Sequence, residues 1–313
     1  MRVFIAGGTG AVGKRLVPLL AAAGHEVQAT TRSAAKVAQV RRLGAEPVVL
    51  DILDREAVEA AVAAARPEVI AHQATALSDM SDLRRFAEEF AATDRLRVEG
   101  TDNLLAAAVA SGVRRVVAQS FTGWPYARVG GPVKTEDDLL DPHPPEAARD
   151  ALAAIRHVES RVTGAEGLEG VALRYGGFYG PGTGLSEGGV HLEAVRKRKF
   201  PVVGGGTGIW SFVHIDDVAT ATKAAIEGEA AGLFNVVDDE PAPVSEWLPA
   251  AASALGAKPP RRLPRWLGRV AAGEAATVMM TEVRGASNKK AKRELGWSLR
   301  YPSWRQGFAK GLG

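Results

Sequence analysis

Short runs of β-branched and apolar residues alternate with alanine-rich stretches through the first 120 residues of the chain. In the first alanine-rich stretch the apolar residues fall on one helical face: Val12, Leu16, Leu19 and Leu20. The β-branched runs predict five strands: Arg2–Ala6, Glu26–Thr30, Pro47–Leu50, Val69–His72 and Arg115–Gln119. Strands that alternate with helices predict an α/β fold with a doubly wound parallel sheet.

The pattern changes after the fifth predicted strand. Residues 121–150 are rich in proline and glycine and predict a long irregular loop, which in a compact domain is usually functional or disordered. A helix over Glu146–Thr163 and a strand over Val171–Tyr175 follow. We therefore expect a nucleotide-binding domain over residues 1–175, with an active-site loop at 121–150. Residues 176–313 should form mainly a small substrate lobe over the carboxyl edge of the sheet, with strands returning to the core sheet.

A glycine-rich turn follows the first predicted strand and opens the first helix. It reads Gly7-Gly8-Thr9-Gly10-Ala11-Val12-Gly13. The glycines permit a tight turn, close approach of the backbone to a pyrophosphate and close packing of helix on strand. We predict a Rossmann-type dinucleotide site at the positive end of this helix. Its residues are Gly7, Thr9, Gly10, Ala11, Val12 and Gly13.

The end of the second strand indicates which dinucleotide binds. In such units the residue about 20 positions after the glycines contacts the adenosine ribose. Thr31 and Arg32 stand there, where an Asp would favour NAD(H). A guanidinium suits a 2′-phosphate, so NADP(H) is the predicted cofactor.

The motifs together resemble the extended branch of the short-chain dehydrogenase/reductase superfamily, the NAD-dependent epimerase/dehydratase-like family. Later segments match that branch in order: Leu173–Gly182, Phe212–Ala219, Phe234–Val237 and Glu294–Trp297. The resemblance implies further cofactor contacts beside the adenine and along the nicotinamide. Those residues are Asp51, Ile52, Gln73, Ala74, Thr75, Ser120 and Tyr175.

The catalytic pattern departs from this family. Members normally carry Tyr-x-x-x-Lys on the helix after the fifth strand, and the phenol exchanges a proton with the substrate. With Glu159 set on the acidic residue that usually follows the Lys, Ala151 and Ile155 take the Tyr and Lys positions. The chain has no Tyr followed four residues later by Lys. The residue that is normally Asn on the preceding helix falls on Arg97.

Other hydroxyl groups must then supply any proton. Phe121 takes the usual Ser/Thr position after the fifth strand, between Ser120 and Thr122. The remaining candidates for catalytic residues are Thr122, Tyr126 and Tyr175.

Aromatic residues concentrate near the family's substrate side and predict an apolar or aromatic ligand. Those expected to contact substrate are Phe121, Trp124, Phe178 and Trp210. Trp210 stands where sugar-nucleotide members usually carry an Arg, which argues against a sugar diphosphate.

Composition excludes several classes of protein. The 313 residues include 39 basic and 36 acidic side chains and no cysteine, so we expect no nucleic-acid partner, disulfide or metal site. No run of about 20 apolar residues predicts a membrane helix, and a strand at the N-terminus leaves no signal peptide, so we expect a cytoplasmic protein. The helices predicted at Asp82–Ala110 and Glu146–Thr163 are compatible with the homodimer that the resemblance implies.

These observations predict an NADP(H)-dependent oxidoreductase acting on a small or mid-sized apolar or aromatic carbonyl, enone or imine. Two alternatives remain open because the Tyr and Lys are missing. One is a non-redox isomerase, dehydratase or cyclase on the same scaffold, and the other is a catalytically inactive NADP(H)-binding sensor.

Overall fold

The computed structural model describes residues 1–77 and 85–313. Its strands are β1 Arg2–Ala6, β2 Glu26–Thr31, β3 Glu46–Val49, β4 Val69–His72, β5 Arg115–Phe121, β6 Val133–Lys134, β7 Glu169–Tyr175, β8 Gly177–Tyr179, β9 Val202–Val203, β10 Ile209–Trp210, β11 Phe212–His214, β12 Gly232–Val236, β13 Ala242–Pro243, β14 Arg262–Leu263 and β15 Gly285–Ala286.

Its helices are α1 Gly13–Ala22, α2 Val37–Arg42, α3 Arg55–Ala65, α4 Phe86–Arg95, α5 Thr101–Ala110, α6 Arg149–Thr163, α7 Val190–Arg196, α8 Ile215–Glu227, α9 Val244–Ala254, α10 Arg265–Thr281, α11 Lys289–Glu294 and α12 Trp304–Lys310. A π-helical turn, Leu96–Gly100, joins α4 to α5, and Gly273 interrupts α10 with a non-helical backbone. Residues 82–84 of the predicted helix at Asp82–Ala110 lie outside the described residues.

Seven parallel strands form the central sheet in the order β12-β7-β5-β4-β1-β2-β3. From β1 the chain moves outward through β2 and β3, then crosses to β4 on the other side of β1. The order of strands therefore reverses between β1 and β4, where open α/β sheets bind ligands outside the carboxyl ends. The predicted Rossmann-type fold is confirmed.

Both faces of the sheet are covered, as a parallel sheet requires. One core packs α1, α8 and α11 on the sheet through residues such as Leu16 and Ile226. The other core packs α3, α5 and α6 through residues such as Val62 and Val158. Of the apolar stripe seen in the sequence, Val12, Leu16 and Leu20 lie in the first of these cores.

Residues 176–313 divide between the sheet and a separate lobe. β12 pairs with β7, and α8 packs on α1, so these elements complete the nucleotide-binding half. Several of the remaining elements, among them α7, α9 and α12, form a third core around Phe212, Trp247 and Trp304.

The segment 121–150 is tied to the later part of the chain. β6 within it pairs in parallel with β15, whereas the bridge between Tyr126 and Leu140 joins two parts of the segment itself. The helix expected to begin at Glu146 starts as a 3-10 turn, Glu146–Ala148, before α6. In residues 1–77 and 85–313 no helix is long and apolar enough to span a bilayer.

Candidate active site

A cleft of about 1110 Å³ lies at the carboxyl edge of the sheet and extends between the sheet and the C-terminal lobe. Residues at or just after the carboxyl ends of β1, β2, β4 and β5 line one side. Residues of α10 and of the segment around β10 line the other. The volume exceeds that of ordinary small-ligand pockets, so there is room for a dinucleotide and a second small molecule.

The glycine turn forms the floor of this cleft. Gly7 has φ of 97°, and a Cβ there would lie 2.7 Å from the Gln73 carbonyl oxygen. A Cβ on Gly13 would lie 2.3 Å from the Gly7 carbonyl oxygen, so only glycine lets α1 start this close to the turn. No side chain caps the N-terminus of α1. The Lys14 and Arg15 amides already donate to the Gly10 and Val12 carbonyls. The amides of Ala11, Val12 and Gly13, at the end of the turn and the first position of α1, have no partner among the described residues and can bind phosphate oxygens.

Most of the predicted cofactor residues line the cleft. They are Gly7, Thr9, Gly10, Ala11, Val12, Thr31, Arg32, Asp51, Ile52, Gln73, Ala74, Thr75 and Tyr175. Gly13 and Ser120 do not line it. Gly13 acts through the close packing of α1, whereas the Ser120 hydroxyl is engaged elsewhere.

The outer end of the cleft is positively charged. Arg32 and Lys36 follow β2, and Lys14 lies on the first turn of α1. Thr31 Oγ1 accepts a hydrogen bond from the Ser33 amide at 3.2 Å. Asp51 is the single acidic side chain among the described residues that line the cleft. This end suits an anionic group beside the adenosine ribose.

Gln73 presents an unused donor to the cleft. Its Oε1 accepts from the Tyr175 hydroxyl at 3.2 Å, but its buried Nε2 has no hydrogen-bond partner among the described residues. Buried donors without a partner are rare in folded proteins. Together with the glycine turn, this orphaned amide fits a nicotinamide dinucleotide lying across the switch point.

The three candidate proton donors are placed differently. Tyr175 lines the cleft, but its hydroxyl turns to Thr222 Oγ1 at 2.7 Å, and burial raises the pKa of the phenol. Tyr126 lies outside the cleft lining and donates to Asn235 Oδ1 at 2.7 Å. Burial raises the pKa of Tyr126, although Arg174 opposes this. Thr122 is fully buried and also lies outside the lining. The structure does not bring these groups together at the cleft.

Behind the cleft, buried polar groups form a network that sequence reasoning missed. Arg174 donates to both Glu159 carboxylate oxygens at 2.7 Å and to the Tyr126 hydroxyl at 2.9 Å. Ser120 donates to Glu159 at 2.6 Å. Burial opposes the charge of Arg174, but the hydrogen bonds to Glu159 outweigh it and raise the guanidinium pKa. The sequence signal for this network was an ionisable residue, Glu159 or Arg174, within a segment predicted to be buried.

The face of α6 that should carry the Tyr and Lys is apolar. Ala151 and Ile155 are 1% and 0% exposed and pack with Phe86, Leu152 and Val278. No group at either position can donate or accept a proton.

Aromatic and sulfur-containing side chains line the substrate side. Phe121, Phe178 and Trp210, three of the residues expected to contact substrate, lie on the cleft, and Met279 joins them. Trp210 donates its indole N–H to the Met279 carbonyl at 2.8 Å, so it presents only its ring to a ligand. Trp124 lies outside the lining and packs edge-on against another aromatic ring.

The π-helical turn places Arg97 in the cleft lining, although Arg97 is 3% exposed. Its Nη1 lies 3.5 Å from Asp94 Oδ1. Among the described residues, Nε of Arg97 has no hydrogen-bond partner. The alignment of this residue with the usual Asn was the signal that could have identified it. The described residues contain no group of three or more metal-ligating side chains.

Comparison with known proteins agrees with this geometry. The model of the NAD dependent epimerase/dehydratase family matches residues 3–236. A 3-diazoavenalumate denitrifying reductase from a Streptomyces species is 46% identical over 99% of this chain and 100% of that protein.

Two solved structures share the fold over 100% of this chain. The UDP-glucose 4-epimerase of Thermus thermophilus in complex with NAD has a TM-score of 0.74 at 26% identity, with 98% of that chain covered. The UDP-glucose 4-epimerase of Thermotoga maritima with UDP-glucose has a TM-score of 0.78 at 23% identity, with 97% covered. From the cleft, the glycine turn and these matches, we conclude that the chain belongs to the NAD dependent epimerase/dehydratase family.

Proposed function

We propose that this protein is an NADPH-dependent reductase that removes the diazo group of an aromatic substrate as N₂. The 46% identical relative, which is named a 3-diazoavenalumate denitrifying reductase, supports the oxidoreductase class and suggests the substrate. The observation that carries the proposal is the apolar face of α6, where Ala151 and Ile155 stand at the positions assigned to the proton-transfer pair.

The chemistry of the hydride acceptor explains why a reductase with an apolar α6 face, and hence without the Tyr and Lys, could still catalyse this reaction. NADPH bound in the cleft would supply a hydride. A carbonyl that accepts hydride must also take up a proton on oxygen, which is the usual task of the Tyr and Lys. An aryl diazonium cation needs only the hydride: the aryl C–N bond breaks, a C–H bond forms and neutral N₂ leaves. Charge and atoms balance without a protein acid.

The residues of this chain then have three tasks. The glycine turn and the N-terminus of α1 bind the pyrophosphate, and Gln73 Nε2 donates to the cofactor. Phe121, Phe178 and Trp210 hold an aromatic ring and keep water away from the reacting carbon. We assign Tyr175 a positioning task, because its hydroxyl fixes Gln73 through a hydrogen bond.

We also propose that NADPH is preferred over NADH. Arg32 and Lys36 lie on the cleft at the end of β2, where a 2′-phosphate would sit, and no carboxylate follows that strand to bind the free 2′-hydroxyl. Two cations without a competing acid favour the phosphorylated cofactor.

A homodimer formed through the helices expected at Asp82–Ala110 and Glu146–Thr163 remains our proposal for the assembly. Size-exclusion chromatography with light scattering measures it directly, and a single-chain mass would contradict the expectation.

A matched pair of substrates tests the reaction. One is 3-diazo-4-hydroxycinnamate, and the other is the corresponding 3-acetyl ketone, which has the same ring and carboxylate. We expect NADPH absorbance to fall only with the diazo compound, with one N₂ released per NADPH consumed.

Other outcomes would contradict the proposal in different ways. Reduction of the ketone alone would favour the carbonyl reductase expected from the sequence. Conversion of a substrate without net NADPH loss would favour a non-redox enzyme. Tight NADPH binding with no turnover of either compound would favour a sensor.

A further inference from the structure

Two arginines are buried near the cleft, and they differ in how their charge is satisfied. Arg174 makes three hydrogen bonds of 2.7–2.9 Å to side chains behind the cleft. Arg97 makes one contact of 3.5 Å, to Asp94, and its Nε has no partner among the described residues. A buried guanidinium is costly unless its donors are used, so Arg97 is incomplete without a further acceptor.

The fold places this guanidinium beside the carboxyl ends of the central strands. The preceding residue, Leu96, accepts a hydrogen bond through its carbonyl from His72 Nε2 at 3.2 Å, at the end of β4. The Ala76 amide donates to Thr93 Oγ1 at 3.0 Å, which ties α4 to the segment after β4. Arg97 is thus held at the switch point. A π-helical turn at this place is itself a frequent mark of a functional site.

The charge of the cleft leaves this cation without an assigned ligand. Among the described residues, six cations and one acid line the cleft. Arg15 is paired with Asp216, and three other cations lie at the end assigned to the cofactor phosphates. Arg97 and the exposed Lys199 remain, and of these only Arg97 is buried.

We propose that Arg97 binds a negatively charged oxygen of the substrate, a carboxylate or a phenolate. The planar guanidinium offers a donor fork that matches such oxygens, and low exposure strengthens the interaction. Asp94 is a weak competitor, because its contact is long and burial raises the pKa of its carboxyl to about 6. The ligand is the substrate of the proposed reductase, so in that respect the inference rests on the proposed function.

A binding measurement tests the inference without any turnover. Calorimetry on the protein saturated with NADP⁺ would compare 4-hydroxycinnamate, at a pH at which both its carboxyl and its phenol are ionised, with its methyl ester and with 4-methoxycinnamate. We expect Arg97→Gln to weaken 4-hydroxycinnamate at least tenfold and to leave the NADP⁺ affinity unchanged. If Arg97 binds the carboxylate, the methyl ester should bind to the wild type at least tenfold more weakly than 4-hydroxycinnamate does. If Arg97 binds the phenolate, 4-methoxycinnamate should show that loss of affinity instead. The derivative that loses affinity should bind equally to both proteins.

Lys199→Gln is the matched control, because it neutralises an exposed cation on the same cleft and should change no affinity by more than about twofold. If the Gln variant does not fold, Arg97→Lys decides the matter. Because a lysine offers a single ammonium group, this variant must bind 4-hydroxycinnamate more weakly than the wild type does. Its affinity for the derivative that lacks the bound anionic oxygen must stay unchanged.

Four results would overturn the inference. The first is equal affinity of wild type and Arg97→Gln for 4-hydroxycinnamate, and the second is an equal loss of affinity in Arg97→Gln for 4-hydroxycinnamate and for both derivatives. The third is a loss of affinity in Lys199→Gln as large as that in Arg97→Gln, and the fourth is no saturable binding to the wild type. Anion-dependent binding through Arg97 without diazo reduction would refute only the proposed reaction.

Discussion

Replacing Arg32 by Asp should reverse the preference for NADPH over NADH. Arg32 is exposed at the end of β2 and lines the cleft. The substitution removes the guanidinium and adds a carboxylate that repels a 2′-phosphate and accepts a hydrogen bond from a free 2′-hydroxyl. The preference is the ratio of the two dissociation constants, so it is insensitive to a general loss of cofactor binding.

The structure bounds the size of this effect. A charge-assisted hydrogen bond contributes about 1.5–3 kcal/mol, which corresponds to about 10–150-fold in affinity. Solvent reaches Arg32, so the lower part of that range applies to the loss of NADPH affinity. Lys36 also lines the cleft and should preserve part of the attraction. We expect the ratio to shift by at least tenfold.

Fluorescence titration with NADPH and NADH at one fixed ionic strength would measure both constants. Arg41→Asp is the matched control. Arg41 is exposed on α2 and lies outside the cleft lining, so the same change of charge should leave the ratio unaltered. An unchanged ratio in Arg32→Asp, or an equal shift in the control, would refute the assignment of the 2′-phosphate site.

Three further changes probe the scaffold. Gly13→Ala should weaken NADPH binding at least tenfold in the titration above, because its Cβ would lie 2.3 Å from the Gly7 carbonyl oxygen; unchanged binding would show that the turn can move freely. Glu159→Gln should lower the free energy of unfolding by about 3–5 kcal/mol, because it leaves Arg174 buried without a counter-charge, and a loss below about 1 kcal/mol in urea denaturation would contradict this. Burial lowers the pKa of His72 to about 4, below the ordinary value of about 6.5. Between these two pH values the unfolded chain binds more protons at His72 than the folded chain does, so stability is lost as the pH falls from about 6.5 towards 4. Between pH 7.5 and 5 the wild type should lose about 2 kcal/mol more than His72→Asn, and equal losses would show that His72 does not contribute.

Local patterns predicted the nucleotide-binding half of the protein well. β1 and β4 have the predicted bounds, and the glycine turn takes the expected form, because strand, turn and helix are adjacent in sequence. The backbone requirements of such a turn can be met only by particular residues, so the sequence records them.

One misplaced boundary explains the unexpected position of Ser120. The fifth strand was expected to end at Gln119 but continues to Phe121. Alternate side chains of a strand point to opposite faces, so Gln119 and Phe121 share the cleft while Ser120 points away to Glu159. Had the strand been predicted to end at Phe121, the alternation of side chains alone would have placed Ser120 on the opposite face from Gln119 and Phe121.

The placement of the hydroxyl candidates could not be read from the sequence. Tyr126 donates to Asn235, which is 109 residues away, and Tyr175 reaches Thr222, which is 47 residues away. Such partners depend on how helices and strands pack across the whole fold, and no spacing rule relates them. The same holds for Met279, which reaches the cleft from α10.

The central claim is that hydride transfer here needs no proton from the protein. Single-turnover oxidation of NADPH by 3-diazo-4-hydroxycinnamate, measured in H₂O and in D₂O and with cofactor deuterated at the transferred position, tests it directly. We predict slower oxidation of the deuterated cofactor and the same rate in both solvents. A clear slowing in D₂O, with a rate that also falls as an acid on the protein loses its proton, would contradict it.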